Sequence, residues 1–228
     1  HLAVNNLTAV DVTADTPTNN FCTLNPLAAE GGFTFSEGNT TSVSSTNNTT
    51  HGSTFAVSKG KWYWEVVAAT HVSGFGSGIV DVDDYIRNIG YESVDSYLFN
   101  FNGDKITGGT AVSLFGNISD EGHLMYALDL DNGRFSFGFE GTWSNGSATQ
   151  STTFNTSNFD YTGIPDHYYY IARAQQTTTG TTARFNFGNP PLAAMGNGLS
   201  DENGYGNFKT AVPSGYFALC SKNLAEYG

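Results

Sequence analysis

Three short stretches concentrate the oxygen ligands a hard cation needs: "DVDD" (Asp81, Asp83, Asp84), "DLDNG" (Asp129, Asp131, Asn132) and "SDENG" (Asp201, Glu202, Asn203). Carboxylates and amides at such spacing suit Ca²⁺, which takes six to eight oxygens. The first stretch, Asp81, Asp83 and Asp84, is the candidate for one structural Ca²⁺, and no other cofactor is expected. The second starts like an EF-hand loop but lacks a distal Glu, and a tight turn already accounts for its Asp and Asn. Glu65 beside Trp64 raises a different chemistry, a glycosidase acid next to a sugar platform. That reaction needs two carboxyls about 5–10 Å apart, and no second acid recurs at strand spacing near Glu65. "GFGSGI" completes neither a nucleophile elbow nor a dinucleotide fingerprint. His1, His51, His71, His123 and His167 show no pairing of the kind that sets a metal on a helix face. Catalysis is not expected. Binding is the remaining chemistry: Tyr85, Tyr91, Tyr97, Trp143, Tyr161 and Tyr205 fall near turn-rich segments, where an amphipathic ring can stack on a sugar. Tyr97, Trp143, Tyr161 and Tyr205 are the candidate ligand-binding residues.

The elements that would position these residues are strands. In "MYALDLDNGRFSFGFEGTW", Asn132-Gly133 predicts a two-residue type I′ hairpin turn. That turn would pair Leu130 with Phe135, Leu128 with Phe137 and Tyr126 with Phe139. Tyr126, Leu128, Leu130, Phe135, Phe137 and Phe139 then share an apolar face, and Asp129, Asp131, Arg134 and Ser136 a wet one. "KGKWYWEVVAAT" is apolar on both faces, as a central strand is. "FCTLNPL" reads as a short strand stopped at Asn25-Pro26, and "PSGYFALCSKNL" as the last strand. "DDYIRNIG" suggests a helical turn. Residues 39–54 are so rich in Thr, Ser and Asn that they predict a loop or an exposed edge strand, and residues 144–161 a polar insertion. About ten to twelve short strands with no amphipathic helix predict an all-β, two-sheet antiparallel sandwich. Residues 1–20 read as an entry segment or linker before a single domain at 21–228.

Composition narrows the function further. The 228 residues carry nine Lys and Arg against 21 Asp and Glu, a formal charge of −12, with no basic run. Tracking of nucleic-acid phosphates is excluded as a main activity, because counterion release needs clustered cations. No stretch approaches the length of a membrane-spanning helix, so no membrane insertion is expected. Starting at His1, the sequence reads as a processed chain or an excerpt. Cys22 and Cys220 lie near opposite ends. If the first and last strands pair, a disulfide between them becomes geometrically open, and two buried thiols are the alternative.

The succession "GKWYWEV", "GFGSGIVD", "MYALDLDNGRFSFGFEGTW", "ARFNFGNPP" and "PSGYFALCSKNL" resembles a SPRY-type domain, a concanavalin A-like β-sandwich. It is most similar to the version in tail-fibre and other structural proteins of marine bacteriophages, whose opening "PTNNFCTLNPLAAEGGFTFSEGN" also matches. The resemblance spans roughly residues 17 to 226, with longer segments here at 144–161 and 192–208. It implies a non-enzymatic virion protein with no shared catalytic residues, a tail-fibre-type recognition domain binding a host cell-surface glycan or protein. It also implies contact with other virion proteins and a homotrimer formed through the parent protein. A capsid-decorating architectural module is the alternative, and a glycan hydrolase on the same sandwich a second one.

Overall fold

The structure is a computed structural model, described here for residues 15–29, 31–69, 75–84, 96–146, 149–175 and 180–228. The expected helical turn around 85–90, Tyr85, Tyr91 and most of the entry segment lie outside the described residues. The strands are β1 (Leu24–Ala29), β2 (Phe33–Ser36), β3 (Thr41–Ser44), β4 (Thr49–Val57), β5 (Lys61–Ala68), β6 (Phe75–Asp81), β7 (Ser96–Asn100) and β8 (Asp104–Thr107). They continue with β9 (Thr110–Ser113), β10 (His123–Asp129), β11 (Arg134–Phe139), β12 (Thr142–Trp143), β13 (Tyr161–Thr162), β14 (Tyr169–Gln175), β15 (Thr182–Asn186) and β16 (Phe217–Ala218). Among the described residues there is one α-helix, α1 (Ser221–Tyr227), after the last strand.

These strands form two sheets, as the alternating apolar pattern requires. One runs β1-β4-β14-β6-β7-β8-β9. The other runs β12-β11-β10-β5-β15-β3-β2, with β13 added on β11 and β16 on β5. Pairing is antiparallel except for β16, which runs parallel to β5 with Phe217 opposite Trp62. Between the sheets lies a core rich in aromatics: Trp64 stacks on Tyr126 at 5.1 Å, and Phe99 of β7 stacks on Phe137 of β11 at 5.2 Å across the gap. β5 is central, flanked by β10 and β15, and all of it but Lys61 is buried.

The β10–β11 hairpin differs from its expected register. Asp129 pairs with Arg134, Leu128 with Phe135 and Tyr126 with Phe137, joined by residues 130–133. Gly133 (φ 59°) supplies a left-handed residue, whereas Asn132 is not in that region as a type I′ turn would require. The Asp129 carboxylate instead accepts the Asn132 backbone N–H at 3.1 Å, which holds the longer loop. Because the shift is by two residues, every side chain keeps its face. The other expectation about this hairpin fails: Asp129 and Ser136 are buried rather than wet, because loops cover that face.

Three further segments depart from expectation. Residues 39–54 contain β3 and most of β4, whose Ser42, Ser44, Thr50, His51 and Ser53 are buried. Ser42 is matched from within: Arg173, itself buried, donates from Nη1 to Ser42 O and Oγ at 2.7 Å, and from Nη2 to Thr181 O at 2.7 Å. β1 runs through Pro26, which is tolerated at a sheet edge where pairing with β4 is already irregular. The C-terminal stretch gives only two strand residues before α1, whose Lys222 N–H is capped by Asn19 Oδ1 at 3.1 Å. Phe21 bridges Cys220. The chain's two ends therefore do pair, but Cys22 faces the inter-sheet core and Cys220 the opposite cluster, and both thiols are free.

Candidate functional site

The outer face of the second sheet is the place where loops gather. Tyr63 of β5, with Met125 and Ala127 of β10, forms a second apolar cluster with Trp143, Phe208, Tyr216, Ala218 and Cys220. At its centre sits Glu65, fully buried. Its carboxylate accepts Tyr63 Oη at 2.8 Å, Asn186 Nδ2 at 3.1 Å and the backbone N–H groups of Lys209 and Thr210 at 3.0 and 2.9 Å, with His123 Nε2 at 3.2 Å. A carboxylate so enclosed clamps the 196–212 loop to the sheet; it is not a sugar-facing acid.

Asp201 acts alike one layer out. Its carboxylate accepts the N–H groups of Asn203, Tyr205 and Ala218 at 2.8–3.0 Å, and Asn223 Nδ2 at 2.8 Å. Asp81 accepts the Asp83 N–H at 2.8 Å and bonds His167 Nδ1, tying its turn to the segment before β14. Asp83 is exposed and Asp84 half-buried, and no group of three His, Cys, Asp or Glu side chains converges as a metal site among the described residues. The Asp81, Asp83 and Asp84 carboxyls are thus not brought together as a Ca²⁺ cage: a turn has used the first.

The 144–161 insertion is pinned at both ends. Asp160, buried, accepts the Phe137 N–H at 2.6 Å and the Ser144 hydroxyl at 2.5 Å, while its own N–H reaches Phe135 O at 3.0 Å. Burial raises the Asp160 carboxyl above its ordinary 3.8 against those bonds. Trp143 and Ser151 exchange backbone bonds at 2.7 and 3.0 Å. Asn145, in the left-handed region (φ 52°), donates to Thr153 O at 3.3 Å and accepts the Asn155 N–H at 3.0 Å. Between these ties opens a cleft of about 480 Å³, lined by amide and hydroxyl side chains around Phe154. Phe154 is half-buried, edge-on to Trp143 at 4.8 Å and to Tyr216 at 5.3 Å.

The four candidate rings are placed in two groups. Tyr97 and Tyr161 meet edge-to-face at 5.0 Å in the inter-sheet core. Trp143 (3% exposed) lies beneath Phe154, and Tyr205 is half-buried against the same outer cluster. Tyr97, Trp143 and Tyr161 are consequently packing residues, with no open face on which a sugar ring could stack. The cleft is formed instead by residues of the polar insertion, none of them among the four candidate rings: Asn145, Gln150, Phe154, Asn155, Thr156 and Asn158. The signal available was Phe154, the first large ring within a polar run.

The fold these sites stand on is a SPRY-type β-sandwich. No family model matches the chain, and no curated protein matches it. Among solved structures, the SPRY domain of human HERC1 matches with a TM-score of 0.55 at 13% identity, covering 71% of this chain and 96% of that one. The TRIM65 PSpry domain matches with a TM-score of 0.54 at 17% identity, covering 73% and 92%.

Proposed function

We propose that this chain is a non-enzymatic recognition domain of a phage particle, of the tail-fibre type, which contacts a host surface glycan or protein through its loops. The observation that carries the reading is the 480 Å³ cleft in the 144–161 insertion, a concavity on loops whose two ends are fixed to a rigid sandwich. The resemblance of the strand motifs to phage structural proteins supplies the virion setting. The buried carboxylates Glu65, Asp160 and Asp201 are spent on backbone N–H groups, which argues against a hydrolase. Weak sites repeated on a trimeric fibre give avidity without tight single contacts.

The architectural reading, a module packed against other virion proteins, is favoured by a separate observation. The edge strands β1 and β9 of one sheet each expose an apolar side chain, Leu27 (94%) and Val112 (47%). Binding of the domain, fused to a trimerising tag, to whole candidate host cells separates the two. Saturable binding is expected; a folded trimer that adheres to no cell gives the architectural reading precedence.

A further inference from the structure

We infer that the cleft beside Phe154 is a site for an uncharged, hydroxyl-rich ligand, a short neutral glycan, with Phe154 as its apolar seat and Thr156 and Asn158 as its polar rim; this rests on the recognition reading above. None of the described residues that line it carries a charge. The rim consists of amides, each both donor and acceptor, and hydroxyls, which match a ring whose periphery alternates the same roles. A sugar also has an apolar C–H face, and Phe154 is a single half-buried ring placed among those groups. Among the described residues, the Thr156 and Asn158 side chains make no hydrogen bond to the protein and both are exposed, so they stay available to a ligand. Their neighbours are not: Asn155 Oδ1 holds the Ser157 N–H at 2.8 Å and Gln150 Nε2 reaches Leu114 O at 3.4 Å, which stiffens the cleft before a ligand enters.

Charge selects within the glycans. A chain of formal charge −12 with only nine cationic residues repels sialylated, sulfated or phosphorylated chains, and the described lining of the cleft includes no Lys or Arg to offset that. A protein partner fits less well. Such an interface buries on the order of 1,000 Å² or more around aromatic or Arg anchors, whereas this rim is Thr and Asn with one recessed ring.

The test is a printed array of neutral oligosaccharides beside their sialylated and sulfated counterparts, probed with the trimerised chain and its Asn158→Asp variant. That variant keeps side-chain shape while it removes the amide donor and adds a negative charge. Binding to neutral glycans, weakened about tenfold or more by the change, roughly 1.4 kcal/mol or beyond, supports the inference. Thr156→Ala should give a smaller loss in the same direction, and circular dichroism should report both variants folded. Hits confined to acidic glycans, hits unmoved by Asn158→Asp, or no hits from the folded trimer would overturn it. Host-cell adhesion that persists unchanged in Asn158→Asp would also overturn it while leaving the recognition reading intact, and adhesion abolished by protease treatment of the cells would assign the surface to a protein receptor.

Discussion

The two faces of β5 are buried alike and held differently. Trp62, Trp64 and Val66 face the inter-sheet core, where contact is ring on ring and non-directional. Tyr63 and Glu65 face outward into the loops, where Glu65 gathers two backbone N–H groups, an amide, a phenol and an imidazole. The inner face needs only shape and apolar area, so aromatics suffice. Loops over the outer face arrive with unpaired backbone donors, which are costly to bury, and a carboxylate is the acceptor that can serve several at once. A chain with few charges thus places its acids where loops must be fastened. The difference teaches where variation is tolerated: the sandwich rests on packing, the functional loops on a few point attachments.

The largest effect should come from the packed face. Trp64→Ala removes a fully buried indole stacked on Tyr126 and set against Phe135, and should cost about 3–5 kcal/mol in chemical denaturation. Glu65→Ala should cost roughly 2–4 kcal/mol, the sum of a few stranded donors at about 1–3 kcal/mol each less what water restores. Its signature is the sharper test: hydrogen exchange should rise in residues 205–212 while β10 and β5 stay protected. Uniform loss of protection would erase the distinction between the two faces.

That distinction was only half legible in the sequence. The alternation in "KWYWEVVA" assigned β5 its central place and separated Trp62 and Trp64 from Tyr63 and Glu65, because side-chain period in a strand depends on backbone geometry alone. What covers each face depends on distant segments, and that was not legible. Asp129 and Ser136 read as wet because nothing local shows that Trp143, Phe208 and Tyr216 come to pack on that face. Residues 39–54 read as a loop or exposed edge because the partner that makes Ser42 acceptable inside, Arg173, is 131 residues from it. Near Trp143 the reading reached the loop by composition, but whether Trp143 or Phe154 is the outer ring follows from a backbone pairing, Trp143 with Ser151, that composition does not encode.

Asp160 offers a pH test of the outer attachments. Its folded carboxyl binds a proton more tightly than the unfolded one, since burial raises it above 3.8. The stabilising contribution is therefore fully present below the unfolded value and is lost as pH rises through the folded one. Asp160→Asn keeps an acceptor for the Phe137 N–H and has no proton to lose. The difference in Tm, variant minus parent, should move in the variant's favour as the pH rises above the ordinary carboxyl value of 3.8. A flat difference would mean that another group dominates the titration there.

The smallest effect sharpens the comparison most. Asn158→Asp and Thr156→Ala alter exposed side chains that fasten nothing among the described residues, so each should change stability by less than about 0.5 kcal/mol. Phe154→Ala should cost more, because that ring also packs on Trp143 and Tyr216. If Thr156 and Asn158 prove neutral to folding, the loop divides into attachments that hold it and rim groups whose only remaining task is contact with something outside the chain. If either destabilises the fold, the rim belongs to the scaffold, and the cleft is a by-product of how the loop is tied down.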